Sequence, residues 1–442
     1  MTQFRRRLDY TSWGRVVRAE HAVAKPRFPD ELAACFGADR ADEPILAVGL
    51  RRSYGDSGLN AGKRVIDMTG LDRFVAFDAG AGRLRADAGL SIDDLLRVIV
   101  PKGWFLPTTP GTRFVTLGGA VANDVHGKNH HRSGSFGCSV TGIGLRRSDG
   151  SQQWLRPGEP LFQATVGGLG LTGVITDVEL NLSPIASAFL DVERVAFRDI
   201  ADFFRIATES TARFEHTVAW IDCANTDKAL GRGVLQRASW RTDGDLAPHR
   251  ARSRPAIPFD LPAGALNQVT LRLFNHFYHR LQSRGRRVRR LHYAPFFYPL
   301  DSLRLWNRLY GAAGFYQYQC VIPPDAQEPA LEQLIGIIAR SGAGSFLAVL
   351  KTFGTRQSGG LLSFPREGAT LALDFANHGA ATLTLLAALD DVVLKAGGRL
   401  YPAKDGRMPA HMFQASYPNW KRLEAVKDPA ISSDFWRRVT QQ

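Results

Sequence analysis

Apolar residues in the first hundred positions fall in short runs broken by glycine. Residues 45–50, 64–68 and 83–90 read as strands separated by turn clusters. The segment 91–103 changes to helical spacing, with Ser91 at the N-cap position and Asp93 and Asp94 in the first turn. Further strands are expected as far as 171–184, where VITDVELNL alternates with period two and stops at Pro184. Past about 185–190 the character changes. Strands mix with a helix around 199–213, and 241–265, rich in Pro, Asp and Arg, reads as a loop. The runs 315–322, 346–354 and 369–376 read as strands, 325–341 and 380–396 as helices, and the tail 411–438 as helical. This order predicts an α+β protein of two lobes.

Composition narrows the class. At 442 residues, 44% hydrophobic and 22% charged, the chain is an ordinary globular protein of two or three domains. A net charge of +14 favours an anionic partner: nucleic acid, a membrane surface or a phosphorylated substrate. The cations are dispersed and no helix-turn-helix, RRM or zinc pattern accompanies them, which argues against nucleic acid. Four widely spaced cysteines without a CxxC pair argue against a zinc or disulfide scaffold. The N-terminal arginines are followed by no apolar core, and no run of about 18 apolar residues occurs. A cytoplasmic protein, or one peripheral to the inner face of a membrane, is the expectation.

The densest chemistry lies at 110–137, PGTRFVTLGGAVANDVHGKNHHRSGSFG. Its six glycines and its proline break any helix or long strand and let backbone approach a ligand closely. Arg113, His126, Lys128, His130, His131 and Arg132 surround them with cationic and titratable groups. Together they suit a flat, phosphorylated cofactor. The run from Gly49 through Arg51, Arg52, Ser53, Tyr54, Gly55, Asp56 and Ser57 follows a strand and reads as a second, pyrophosphate-binding nest. His126 and His130 have the i, i+4 spacing of zinc ligands. Gly127 and Gly134 make a helix there unfavourable, so no metal is expected. Gly168, Gly170 and Gly173 satisfy G-x-G-x-x-G, with Glu193 about 20 residues on, but a strand rather than a helix follows, which argues against the dinucleotide fingerprint.

These motifs carry a resemblance. RSYGD (52–56), the 110–137 loop, GLTG (170–173), AGFYQYQ…IP (313–323), LSFP (362–365) and GGRLYPAKD (397–405) resemble, in order and spacing, the FAD-dependent decaprenylphosphoryl-β-D-ribose 2′-oxidases of the vanillyl-alcohol-oxidase/PCMH-type superfamily. The resemblance covers nearly the whole chain. It implies an FAD-binding lobe of residues 1–187 and 399–442, and a substrate lobe of 188–398 built on an antiparallel sheet. The FAD contacts it implies are Gly49, Arg51, Arg52, Ser53, Tyr54, Gly55, Asp56, Ser57, Gly111, Thr116, Leu117, Gly118, Gly119, Asn123, His126, Ile175 and Tyr401. Arg52 stands where covalent relatives carry a flavin-linking histidine, so non-covalent FAD is implied. Lys404, His126 and Tyr54 are implied as catalytic. Lys128, Trp220, Gln317, Gln319, Lys351, Phe353 and Lys404 are implied on the substrate side. The substrate class implied is a lipid-linked pentose phosphate, oxidised at its 2′-hydroxyl for cell-envelope arabinose. A short-chain NAD(P)H-dependent keto-reductase would be the partner, and a quinone a plausible electron acceptor. A soluble sugar, alditol or aldonolactone oxidase of the same superfamily is the alternative. The chain departs from the family where Ala372 replaces a cysteine, Thr370 an asparagine and Phe297 a tyrosine.

The residues themselves leave roles open. A desolvated Lys404 can act as a base, orient a hydroxyl or bind phosphate. Lys351 shares a strand face with Val349 and Phe353, and Gln317 with Gln319. The stretch 272–292 is strongly basic, and its 280–290 run, interleaved with aromatics, is expected to be either a solvated charged loop or a flexible segment facing an anionic membrane.

Overall fold

The structure, a computed structural model, describes residues 3–37, 43–224, 230–250, 255–262, 267–283 and 288–440. Three larger sheets, beside a two-stranded one, organise the described residues. The first joins Arg5–Arg7, His21–Ala24, Arg64–Asp67 and Ile45–Val48 in that order, the last three strands running parallel. The second is antiparallel: Phe74–Asp78, Arg83–Asp87, Val174–Asn181, Val140–Arg146 and Gln152–Leu155. Val174–Asn181 is the strand that follows Gly173, so the glycines there turn into a sheet and open no helix.

The third sheet has eight antiparallel strands. Their order is Arg289–His292, Phe189–Phe197, Gly233–Trp240, His216–Ile221, Val349–Phe353, Gly368–Ala376, Phe315–Ile322 and Arg399–Leu400. Alternation decides what each face does. Tyr318, Cys320, Leu371 and Leu373 point into a core shared with the helices Ile200–Arg213, Gln327–Ser341 and Ala380–Lys395. Each Leu or Ile fully buried there contributes about 1.5–3 kcal/mol. Gln317, Gln319, Thr370, Ala372 and Asp374 point the other way, into a cavity.

Local signals explain many boundaries. Ser91 caps Ile92–Ile99 by accepting from the Asp94 N–H, and Asp199 caps Ile200–Arg213 through the Asp202 N–H. Two expectations fail. The 110–137 segment is not free of helix: Thr116 caps a short turn, Leu117–Ala122, and a second spans His130–Ser133. The glycines of the first turn give it close packing, since a Cβ on Gly118 would lie 2.9 Å from that of Ala88. Both ends of the basic stretch are likewise regular. Gln268–Gln282 is an α-helix with an Asn267 capping box, and Arg289–His292 is an edge strand. Residues 284–287 of that stretch, and 251–254 and 263–266 of the expected 241–265 loop, lie outside the described residues.

The C-terminal helices return to the first sheet. The Tyr54 N–H donates to Ala403 O, and Arg438 grips both Asp56 and Asp405. The 401–405 turn is thereby carried from the late sequence to the glycine loop at 49–58.

Candidate active site

One cavity of about 1100 Å³ runs between the glycine loops and the open face of the eight-stranded sheet. At its first end the wall is backbone. Gly49 passes so close to Thr116 that a Cβ would sit 2.1 Å from its Oγ1, whereas one on Gly111 would meet nothing within 4 Å. Arg51 holds a left-handed φ of 54°, which turns the chain around the cavity rim. Ser57 Oγ is buried there without a hydrogen-bond partner, and an orphaned polar atom lining a cavity marks a place where a ligand completes the bonding. The Arg51 and Arg52 guanidinium groups lie over Tyr10 and Trp13, 4.0 and 4.1 Å from the ring centroids. Closely approaching backbone, an unpartnered hydroxyl and two arginines fit a dinucleotide with a pyrophosphate.

The other end is lined by side chains. His126 is half-buried at the cavity wall, and desolvation holds it well below the ordinary imidazole range, with Lys351 adding to that, which favours the uncharged ring. Its Nε2 lies 2.8 Å from Gln319 Nε2 and its Nδ1 3.1 Å from Lys351 Nζ. Lys404 Nζ sits 4.0 Å above the Tyr54 ring. Lys128 donates to Phe296 O and lies 4.3 Å from that ring's centroid. Burial pushes Lys128 and Lys351 down to about 7 and Lys404 to about 8, with Lys128 and Lys404 repelling charge on Lys351. Trp220 donates to Phe346 O and packs on Tyr278 at the cavity wall.

The loop is anchored from behind. Asp124 accepts from Ser135, Ser358, Ser363 and the Gly137 N–H, tying 124–137 to 358–363. Tyr401 donates to Asn123 O at 3.0 Å and stacks on Phe364. His130 is buried against Phe353, and His131 contacts Phe214 O. Both stand behind the cavity wall.

Most expected site residues converge. Gly49, Arg51, Arg52, Ser53, Tyr54, Ser57, Gly111, Thr116, Gly118, Gly119, Asn123, His126, Ile175 and Tyr401 line the cavity with Lys128, Trp220, Gln317, Gln319, Lys351 and Lys404. Four do not reach it. A Cβ on Gly55 would lie 1.6 Å from Asp405 O, so that glycine serves a backbone contact. Asp56 pairs with Arg438, and Leu117 is fully buried under the loop. Phe353 packs against the back of His126 at 4.8 Å. Asp374 was missed. It accepts from Gln317 at 2.6 Å and is approached by Tyr310, and burial raises it to about 7. An acid at the period-two position of an apolar strand, in phase with Thr370 and Ala372, was the available signal.

The two-part cavity, backbone cradle at one end and buried proton-exchanging groups at the other, is that of an FAD-dependent oxidoreductase. An FAD binding domain family matches residues 21–156. The chain is 36% identical to a decaprenylphosphoryl-β-D-ribose oxidase of Mycolicibacterium smegmatis, over 97% of its own length and 96% of that protein's. It belongs to that family. A Streptomyces coelicolor protein of no stated activity is 32% identical over 79% of this chain and all of its own. An alditol oxidase of a Streptomyces species is 33% identical over 39% of this chain and 42% of its own.

Proposed function

We propose that the protein oxidises the 2′-hydroxyl of a polyprenyl-phosphoryl pentose to a ketone, using non-covalently held FAD. The observation that carries this is the convergence of three half-buried amines, Lys128, Lys351 and Lys404, on one cavity beside two glutamines, with desolvation lowering the pKa of each. An anion bound there restores the charge that burial disfavours, and Gln317 and Gln319 are placed to read sugar hydroxyls. The full-length likeness to a decaprenylphosphoryl-β-D-ribose oxidase supports the same substrate class.

In this reading residues 1–187 and 399–442 hold the cofactor and 188–398 the substrate. The Arg399–Leu400 strand is hydrogen-bonded to Phe315–Ile322, so the lobes share an edge. Bound FAD supplies a two-electron acceptor. The chain's part is to hold the alcohol among Lys404, His126 and Tyr54 and take its proton. The O–H proton goes to a buried amine, the C–H bond gives up hydride, and a C=O bond forms. Lys404, over Tyr54 and near Asp374, orients the hydroxyl and shares in removing its proton. We read the attachment as non-covalent, and the composition of the wall supports this. Among the described lining residues there is no cysteine and one histidine, His126, with both nitrogens engaged.

The helix Gln268–Gln282 extends the reading to a membrane. Val269, Leu273, Phe277 and Leu281 recur every four residues on an exposed face, with Phe274 beside them. Arg280 lies on the same helix and Arg289 is exposed on the edge strand that comes next in the chain, and Tyr278 of the helix lines the cavity. Among the described residues no helix is long and apolar enough to cross a membrane. An amphipathic helix beside the cavity suits a peripheral seat on an anionic bilayer, where each arginine contributes about 1 kcal/mol. A lipid-linked substrate would enter there. The ketone would pass to a short-chain NAD(P)H-dependent reductase, and a quinone in the same bilayer would take the electrons.

The test is anaerobic bleaching of the purified yellow protein by farnesyl- or decaprenyl-phosphoryl ribose. Bleaching supports the reading. Bleaching by soluble alditols and not by the lipid-linked sugar would replace it with the alditol-oxidase reading, which the partial likeness to that enzyme favours. For the membrane, co-sedimentation with phosphatidylglycerol vesicles should fall when Phe277 and Leu281 become Glu. Equal pelleting with phosphatidylcholine vesicles would count against it.

A further inference from the structure

Hydrogen-bond direction settles where protons lie at the sheet end of the cavity. Thr370 Oγ1 is 2.8 Å from Cys320 O, and a carbonyl cannot donate, so the hydroxyl proton lies between them. Thr370 therefore turns a lone pair to Gln319, 3.2 Å away, and that contact needs an amide N–H. The same Gln319 Nε2 carries a second N–H and lies 2.8 Å from His126 Nε2. That nitrogen is then the acceptor, and the one proton of the neutral ring sits on Nδ1. Across from Nδ1, at 3.1 Å, is Lys351 Nζ. An ammonium has no lone pair to receive a ring N–H; a free amine has one, and can still donate to Gly127 O at 3.3 Å.

We infer that Thr370, acting through Gln319 and His126, holds Lys351 as the uncharged amine of the resting site, ready to take a proton when substrate arrives. Thr370 is a positioning residue in this chain of bonds. Strand pairing builds the chain: Thr370 is the register partner of Lys351 on one side and of Val321, two residues past Gln319, on the other. Charging Lys351 requires His126 to move its proton to Nε2, the Gln319 amide to turn over, and Thr370 to leave Cys320 O. The titratable and charged neighbours are His126, Lys128 and His130 from the loop and Lys404 from the 401–405 turn, with Asp374 beyond Lys404. The cations among them and burial act in the same direction as the relay, pressing Lys351 down to about 7.

The inference rests on the oxidation proposed above for its purpose, but its first readout, the ring tautomer, needs no substrate. Two-bond ¹⁵N–¹H spectra of the FAD-loaded protein, assigned with His126→Gln, should show His126 protonated on Nδ1. In Thr370→Val the Gln319 amide is free to turn over. The ring proton should shift toward Nε2, and the low-pH limb of flavin reduction should move to higher pH. Thr370→Ser should restore both. Gln319→Glu supplies an acceptor opposite Nε2 and should reverse the tautomer without a change of shape. An Nε2 proton in the unaltered protein would overturn the inference, as would Thr370→Val and Gln319→Glu that leave tautomer and pH limb in place. If lipid-linked ribose fails to bleach the flavin while the tautomer shifts as stated, the substrate proposal fails and the relay stands.

Discussion

The two ends of the cavity treat polar groups in opposite ways. At the glycine end the polar surface is the backbone of two glycine loops with two arginines, and Ser57 Oγ has no partner among the described residues. At the sheet end the polar groups are side chains from the 124–128 loop, three strands and the 401–405 turn, and His126, Gln317, Gln319, Lys351, Thr370 and Asp374 are hydrogen-bonded among themselves. The first is a mould whose bonding a ligand completes. The second is preorganised, with protonation decided before substrate enters. Shape damage should therefore dominate at one end and proton damage at the other.

The largest effect is expected at the sheet end. Lys404→Ala should keep its flavin and slow anaerobic bleaching by about 10²–10⁴-fold, the range for a lost proton-handling group. Stopped-flow reduction at the wild-type rate would remove Lys404 from the chemistry. At the cradle, Gly49→Val drives a branched side chain into Thr116. Overpacking of this kind costs about 1–3 kcal/mol, so FAD affinity should fall by about 5- to 150-fold, with little change in reduction rate of whatever protein remains loaded. A reduced rate with full flavin content would reverse the contrast. The third prediction concerns pH. The depressed amines are cationic below about 7 to 8 and lose charge above it. Affinity for a phosphorylated ligand should fall as pH rises through that window, while FAD retention stays level; calorimetry across the window that shows flat affinity would mean the amines do not meet the phosphate. The smallest effect is Ser57→Ala. Loss of one neutral hydrogen bond, about 0.5–1.5 kcal/mol, should weaken FAD binding by roughly tenfold or less and leave turnover of loaded enzyme unchanged.

How much was legible beforehand follows the same division. The 49–57 and 110–137 loops could be read because glycine spacing and cation density are local properties, and most of their residues do line the cavity. Gly55, Asp56 and Leu117 misled because a motif does not say which members face a ligand and which brace the loop. Asp56 meets Arg438 from the far end of the chain, and Gly55 meets Asp405. Phe353 shares a strand with Lys351 yet packs against His126 and into a small core with Phe364 and Tyr401. Asp374 escaped notice because its partners, Gln317 and Tyr310, are 57 and 64 residues distant. The helix over 268–282 was hidden by its arginines, which outweighed a regular apolar spacing.

Sequence alone determined the alternation that gives the eight-stranded sheet one face for the core and one for the cavity, the capped helices, and the backbone freedom of the glycine loops. Each depends on residues within a few positions of one another. Tertiary structure decided which amine is neutral. That state depends on Thr370, Gln319, His126 and Lys351 meeting within hydrogen-bond distance, and on burial that no single segment provides. Hydrogen bonds have direction and desolvation depends on everything nearby, so protonation belongs to the assembled fold.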